Sequence, residues 1–101
     1  MQIDFERSGG FAGMTIQTSV DTDKLPSAES RELVQMINSA NFFGLPSSTK
    51  SGFGADQFNY KITVQSQGMS HTVETTDSTM PPSLKPLVDK LMSLARSAQR
   101  S

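Results

Sequence analysis

Eight residues past the middle of the chain limit its fold more than any others. Phe58, Tyr60, Ile62 and Val64 alternate with Asn59, Lys61, Thr63 and Gln65. Successive side chains of a strand point to opposite faces, so this run reads as a strand with one apolar and one polar side. Ser66-Gln67-Gly68 supplies a turn. A second run, from about Met69 to Thr76, sets Met69, His71, Val73 and Thr75 on one side. Together they predict a β-hairpin whose apolar face must be covered by another layer.

The rest of the chain offers that layer and a second hairpin. Residues 2–8 alternate, with Ile3, Phe5 and Arg7 on one side and Gln2, Asp4 and Glu6 on the other. Gly9-Gly10-Phe11-Ala12-Gly13 is a turn signal, and residues 14–20 alternate again through Met14, Ile16, Thr18 and Val20. Leu33, Val34, Met36, Ile37 and Ala40 then recur at helical spacing. Ser27 is the expected N-cap, Glu29 and Glu32 suit the positive end of the helix dipole, and Asn41 is the expected stop. Phe42, Phe43 and Leu45 make an apolar knot ending at Pro46. Residues 46–57 are small, polar and glycine-rich, a long loop of the kind that often carries function. A last helix follows Thr79-Met80-Pro81-Pro82, with Leu84, Leu87, Val88, Leu91, Met92 and Ala95 as its apolar stripe. Pro86 sets its first regular turn later than Pro82. The order is ββαββα. The predicted fold is α+β, one domain over residues 1–101, with a four-stranded, mainly antiparallel sheet and two helices on one face.

Composition narrows the function. Nine basic and ten acidic residues give a net charge of −1. Nucleic-acid binding needs an excess of Lys and Arg, and anionic membranes attract polybasic segments, so neither partner is expected. There is no cysteine, which removes disulfides, thiolate catalysis and cysteine-based zinc sites. No apolar run approaches the ~20 residues of a membrane span. Met1 to Glu6 has no basic start and no apolar stretch, so a cytoplasmic location is expected, with export by another route left open.

Catalytic motifs are not apparent. His71 is the one histidine, read as a half-buried or rim residue with one hydrogen bond rather than a member of a triad. Asp4, Glu6, Asp21, Asp23, Asp56, Glu74 and Asp77 are read as solvated, with a capping role for Asp77 before the last helix. No metal motif or phosphate loop is present. No enzyme activity and no cofactor are expected. Two glycine-flanked phenylalanines stand out, Phe11 within Gly9–Gly13 and Phe53 between Gly52 and Gly54. Each is read either as folded back on the core or as an aromatic anchor presented to a protein partner.

Ile3-Asp4-Phe5-Glu6-Arg7-Ser8-Gly9-Gly10-Phe11-Ala12-Gly13 resembles the N-terminal segment of the emfourin family. The likeness continues through Ala40-Asn41-Phe42-Phe43-Gly44-Leu45-Pro46, Asp56-Gln57-Phe58-Asn59-Tyr60, His71-Thr72-Val73 and Pro81-Pro82-Ser83-Leu84-Lys85-Pro86-Leu87. It implies a bacterial protein inhibitor of protealysin-like, thermolysin-family zinc metalloproteases. Such an inhibitor blocks the active-site cleft with surface loops and needs no metal of its own. The expected protease-binding residues are Gly9, Gly10, Phe11, Ala12, Gly13, Lys50, Gly52, Phe53 and Gly54, and the free protein is expected to be a monomer. The alternative is a binding or regulatory module with a non-protease partner.

Overall fold

The computed structural model describes residues 1–9, 15–47 and 58–99, and structural statements refer to these residues. Four strands, β1 (Gln2–Gly9), β2 (Ile16–Asp21), β3 (Phe58–Ser66) and β4 (Met69–Thr76), form one sheet in the order β2-β1-β3-β4. Every neighbouring pair is antiparallel. Two helices, α1 (Ser27–Ser39) and α2 (Lys85–Gln99), follow the two hairpins, as the α+β reading required. Single 3₁₀ turns at Thr22–Lys24, Phe42–Gly44 and Pro82–Leu84 join them to the strands.

The alternation in sequence becomes the two sides of the sheet. Register aligns Val20, Ile3, Val64 and His71 across one row and Thr18, Phe5, Ile62 and Val73 across the next. Ile3, Ile62, Val64 and Val73 are fully buried and Phe5 nearly so, beneath Leu33 and Ile37 of α1 and Leu87, Leu91 and Ala95 of α2. Leu84, from the 3₁₀ turn before α2, joins the same core. The opposite side carries Gln2, Asp4, Glu6, Gln17, Ser19, Lys61, Thr63, Thr72 and Glu74. Its rungs are hydrogen-bonded across strands. Ser19 Oγ donates to Asp4 Oδ1 at 2.6 Å, Gln17 Nε2 donates to Glu6 Oε1 at 3.0 Å, and the Thr63 and Thr72 hydroxyls lie 2.9 Å apart.

Local chemistry sets the element ends. Helix α1 begins one residue earlier than an N-cap at Ser27 implies. Pro26 occupies the cap position with extended backbone, and its carbonyl accepts the Ser30 N–H at 3.0 Å, so Ser27 is the first helical residue. Proline has no N–H to leave unsatisfied there and its fixed φ gives the chain a defined entry. Asn41 ends the helical segment as expected, in the left-handed region at φ 52°, a conformation Asn tolerates better than most residues. The second hairpin closes through two residues, Gln67 and Gly68, with φ 50° and 80°. Two positive φ angles are what a tight turn matching the strand twist requires.

Gly68 has open space where a Cβ would stand. Gly68→Ala is therefore expected to destabilise the protein by about 1–2 kcal/mol through backbone conformation alone. Gln67→Asn is expected to stabilise it by roughly 0.5 kcal/mol. Both should move the urea midpoint without altering the slope of the transition.

Candidate functional site

The end of the sheet formed by Gly9, Ile16, Phe58 and Thr76 is where the expected contact segments attach. Gly9, at φ 93°, is the last residue of β1 and pairs with Phe58, the first of β3. The chain therefore leaves the sheet toward residues 10–14 beside the point where it returns from residues 48–57. Ser47, the last described residue before that second segment, is held close by. Its carbonyl accepts the Glu74 N–H at 2.9 Å, on the outer edge of β4.

Four side chains fasten this end. Asp77 follows β4, one step beyond its register with β3. One carboxylate oxygen accepts the Phe58 N–H at 3.0 Å and the other accepts the Tyr60 hydroxyl at 2.7 Å. Arg7 lies over the Phe58 ring, its guanidinium carbon 4.1 Å from the ring centre, a cation–π contact. Tyr60 packs inward against Phe5, with ring centres 6.4 Å apart. Thr79 tightens the turn: its hydroxyl lies 2.7 Å from that of Thr76 and accepts the Thr76 N–H at 3.2 Å. Asp77 is thus a clamp on the start of β3, and the capping role expected for it is replaced. The sequence offered no local sign of this, because the role follows from the long-range pairing of β3 with β4.

His71 has a structural role of the kind expected. Its Nε2 donates to the Leu45 carbonyl at 2.8 Å. The ring stands edge-on to Phe42 at 5.6 Å and tilted against Phe43 at 6.3 Å. It pins the turn after α1 against β4. Asp4 and Glu6 serve the cross-strand rungs of the polar face. Asp21 accepts the Asp23 N–H at 3.0 Å, and Asp23 lies 3.9 Å from the N-terminal amine. Among the described residues no group of His and carboxylates is arranged to hold a metal. Of the expected protease-binding residues, Gly9 is described. Gly10, Phe11, Ala12, Gly13, Lys50, Gly52, Phe53 and Gly54 lie outside the described residues, as do Met14 and Asp56.

Burial, then the hydrogen bond to Asp77, then that carboxylate's charge push the Tyr60 phenol up from 10.0 to about 12, with Arg7 pulling weakly the other way. Tyr60 is the one tyrosine and there is no tryptophan, so its ionisation can be followed directly by ultraviolet absorbance. The midpoint should lie near 12, and Asp77→Asn should lower it toward 10 without reaching it, since burial remains. The folded state holds this proton more tightly than the unfolded chain. The associated stability is full below pH 10.0 and is lost as pH rises toward about 12. Urea midpoints should fall across that interval.

The Emfourin family model matches residues 5–92. That range runs from Phe5 in β1 to Met92 in α2 and takes in the second half of β1 and all of β2, β3 and β4, including the end described above. Comparison with curated proteins and with solved structures gave no match. Matched over most of its length, the chain belongs to the emfourin family, a family of protease inhibitors rather than enzymes.

Proposed function

We propose that this protein inhibits thermolysin-like zinc metalloproteases of the protealysin type by filling their active-site cleft. The residues that enter are Phe11 with its flanking Gly9, Gly10, Ala12 and Gly13, together with Lys50, Gly52, Phe53 and Gly54. The family supports inhibition in general, and one observation supports this mode of it: both glycine-flanked phenylalanines belong to segments tied to a single end of the sheet, through the Gly9–Phe58 pair. Segments that join the sheet at one end can serve one cleft, whereas segments that join it at opposite ends cannot. Holding the tethers in place lowers the ordering cost of binding. Asp77 and Arg7 hold Phe58, where the second segment joins β3. The zinc and the reacting groups belong to the enzyme. The inhibitor contributes shape, an apolar anchor for the pocket beyond the scissile bond, and backbone able to approach closely.

Alanine substitution tests the anchors. Phe11→Ala or Phe53→Ala should weaken inhibition of peptide hydrolysis by a thermolysin-family protease about 30-fold, the scale of an interface hot spot. Unfolding midpoints should stay where they are. Serine and cysteine proteases should be unaffected by the parent protein. Undiminished inhibition by both variants would move the contact surface elsewhere.

A further inference from the structure

The two outer edges of the sheet differ. On β4 the Glu74 N–H is taken by the Ser47 carbonyl and the Thr76 N–H by the Thr79 hydroxyl. His71 also ties that strand to Leu45. No described residue pairs with the outer side of β2. Which of its groups face outward follows from the ladder. The Thr22 N–H donates to the Met1 carbonyl at 2.9 Å, and these residues extend the register in which Gln2 faces Asp21. Bonded and unbonded pairs alternate along an antiparallel ladder. Ile3–Val20, Phe5–Thr18 and Arg7–Ile16 are therefore the bonded pairs. The N–H and C=O groups of Gln17, Ser19 and Asp21 point away from the sheet. The same alternation, carried across β1 and β3, turns Glu74 outward on β4, which is where its bond to Ser47 is found.

Natural edges are commonly blunted by lysine, proline, a bulge or a covering segment. The sequence of β2, Ile-Gln-Thr-Ser-Val-Asp, holds no lysine or proline, and its register with β1 runs unbroken from Ile16 to Asp21. We infer that β2 is a docking edge to which the target protease adds an extended strand, hydrogen-bonded to Gln17, Ser19 and Asp21. This rests on the protease reading above and extends the same contact, since only Thr15 separates residues 10–14 from β2. A second copy of the chain suits the edge less well. A six-residue strand spans only ~20 Å. Pairing two such edges alone covers far less than the ~800 Å² per partner of a stable interface. An edge this short suits a partner with further contacts of its own, as the protease of that reading has.

Amide hydrogen exchange read by NMR tests this on the free protein and on its complex with a thermolysin-family protease. In the free protein the Thr18 and Val20 amides should be protected and those of Gln17, Ser19 and Asp21 should exchange freely. In the complex these last three should slow by about tenfold or more. Ser19→Pro removes one outward N–H, no N–H that β1 uses, and the hydroxyl bonded to Asp4; Ser19→Ala removes the hydroxyl alone and sets the reference. Relative to Ser19→Ala, Ser19→Pro should raise the inhibition constant about tenfold or more. Inhibition with no slowing at those three amides would overturn the edge and leave the protease reading standing. Slowing that grows with concentration in the free protein would also overturn it, in favour of self-pairing. Failure to inhibit any thermolysin-family protease would overturn the reading beneath it.

Discussion

The structure depends on the pairing of β1 with β3. Each hairpin has an apolar face of its own, but a lone hairpin is marginal in water. Aligning Ile3 with Val64 and Phe5 with Ile62 turns two narrow apolar strips into one surface wide enough for both helices. At ~25 cal/mol per Å² of apolar surface removed from water, that surface is the main source of stability available to a chain without disulfides. The same pairing sets Gly9 against Phe58. One contact therefore completes the core and sets side by side the residue that precedes one glycine-rich segment and the residue that follows the other.

The elements were legible in the sequence, because alternation and helical spacing are short-range signals. The strand starting at Phe58, its return strand, and the delayed start of α2 after Pro81-Pro82 stand where residue pattern put them. Element ends were less legible. Ser27 has the chemistry of an N-cap, yet Pro26 takes that position because its carbonyl and fixed φ serve equally well. Register was not legible at all. Nothing local in Asp77 says that it lies beside Phe58 and Tyr60, and nothing local in Arg7 says that it covers a ring more than 50 positions away. The clamp at the candidate site is thus the part that residue patterns could not supply, while the two glycine-flanked phenylalanines stood out by composition.

His71 illustrates how position decides chemistry. A lone histidine among apolar neighbours invites a catalytic reading. Here its donor is spent on the Leu45 carbonyl, and its ring fills the corner between Phe42 and Phe43. Packing and hydrogen bonding use both features of the imidazole for structure. The same bond draws Leu45 to Ser47 along β4, which is how that edge comes to be covered while the opposite one is left to β2.

The polar face of the sheet is the broadest surface the strands present, and a partner gains little by covering it. Asp4 already accepts hydrogen bonds from Ser19 and Gln2, Glu6 accepts one from Gln17, and Thr63 pairs with Thr72. Burying such groups means giving up water as well, and the return is small unless every bond is rebuilt. The outward N–H and C=O groups of β2 stand differently. They have no partner within the described fold, so a strand laid along them replaces water one for one and gains register as it does so. Satisfied groups across the broad face and unsatisfied groups along one edge direct recognition to the rim of the sheet, where residues 10–14 also join it.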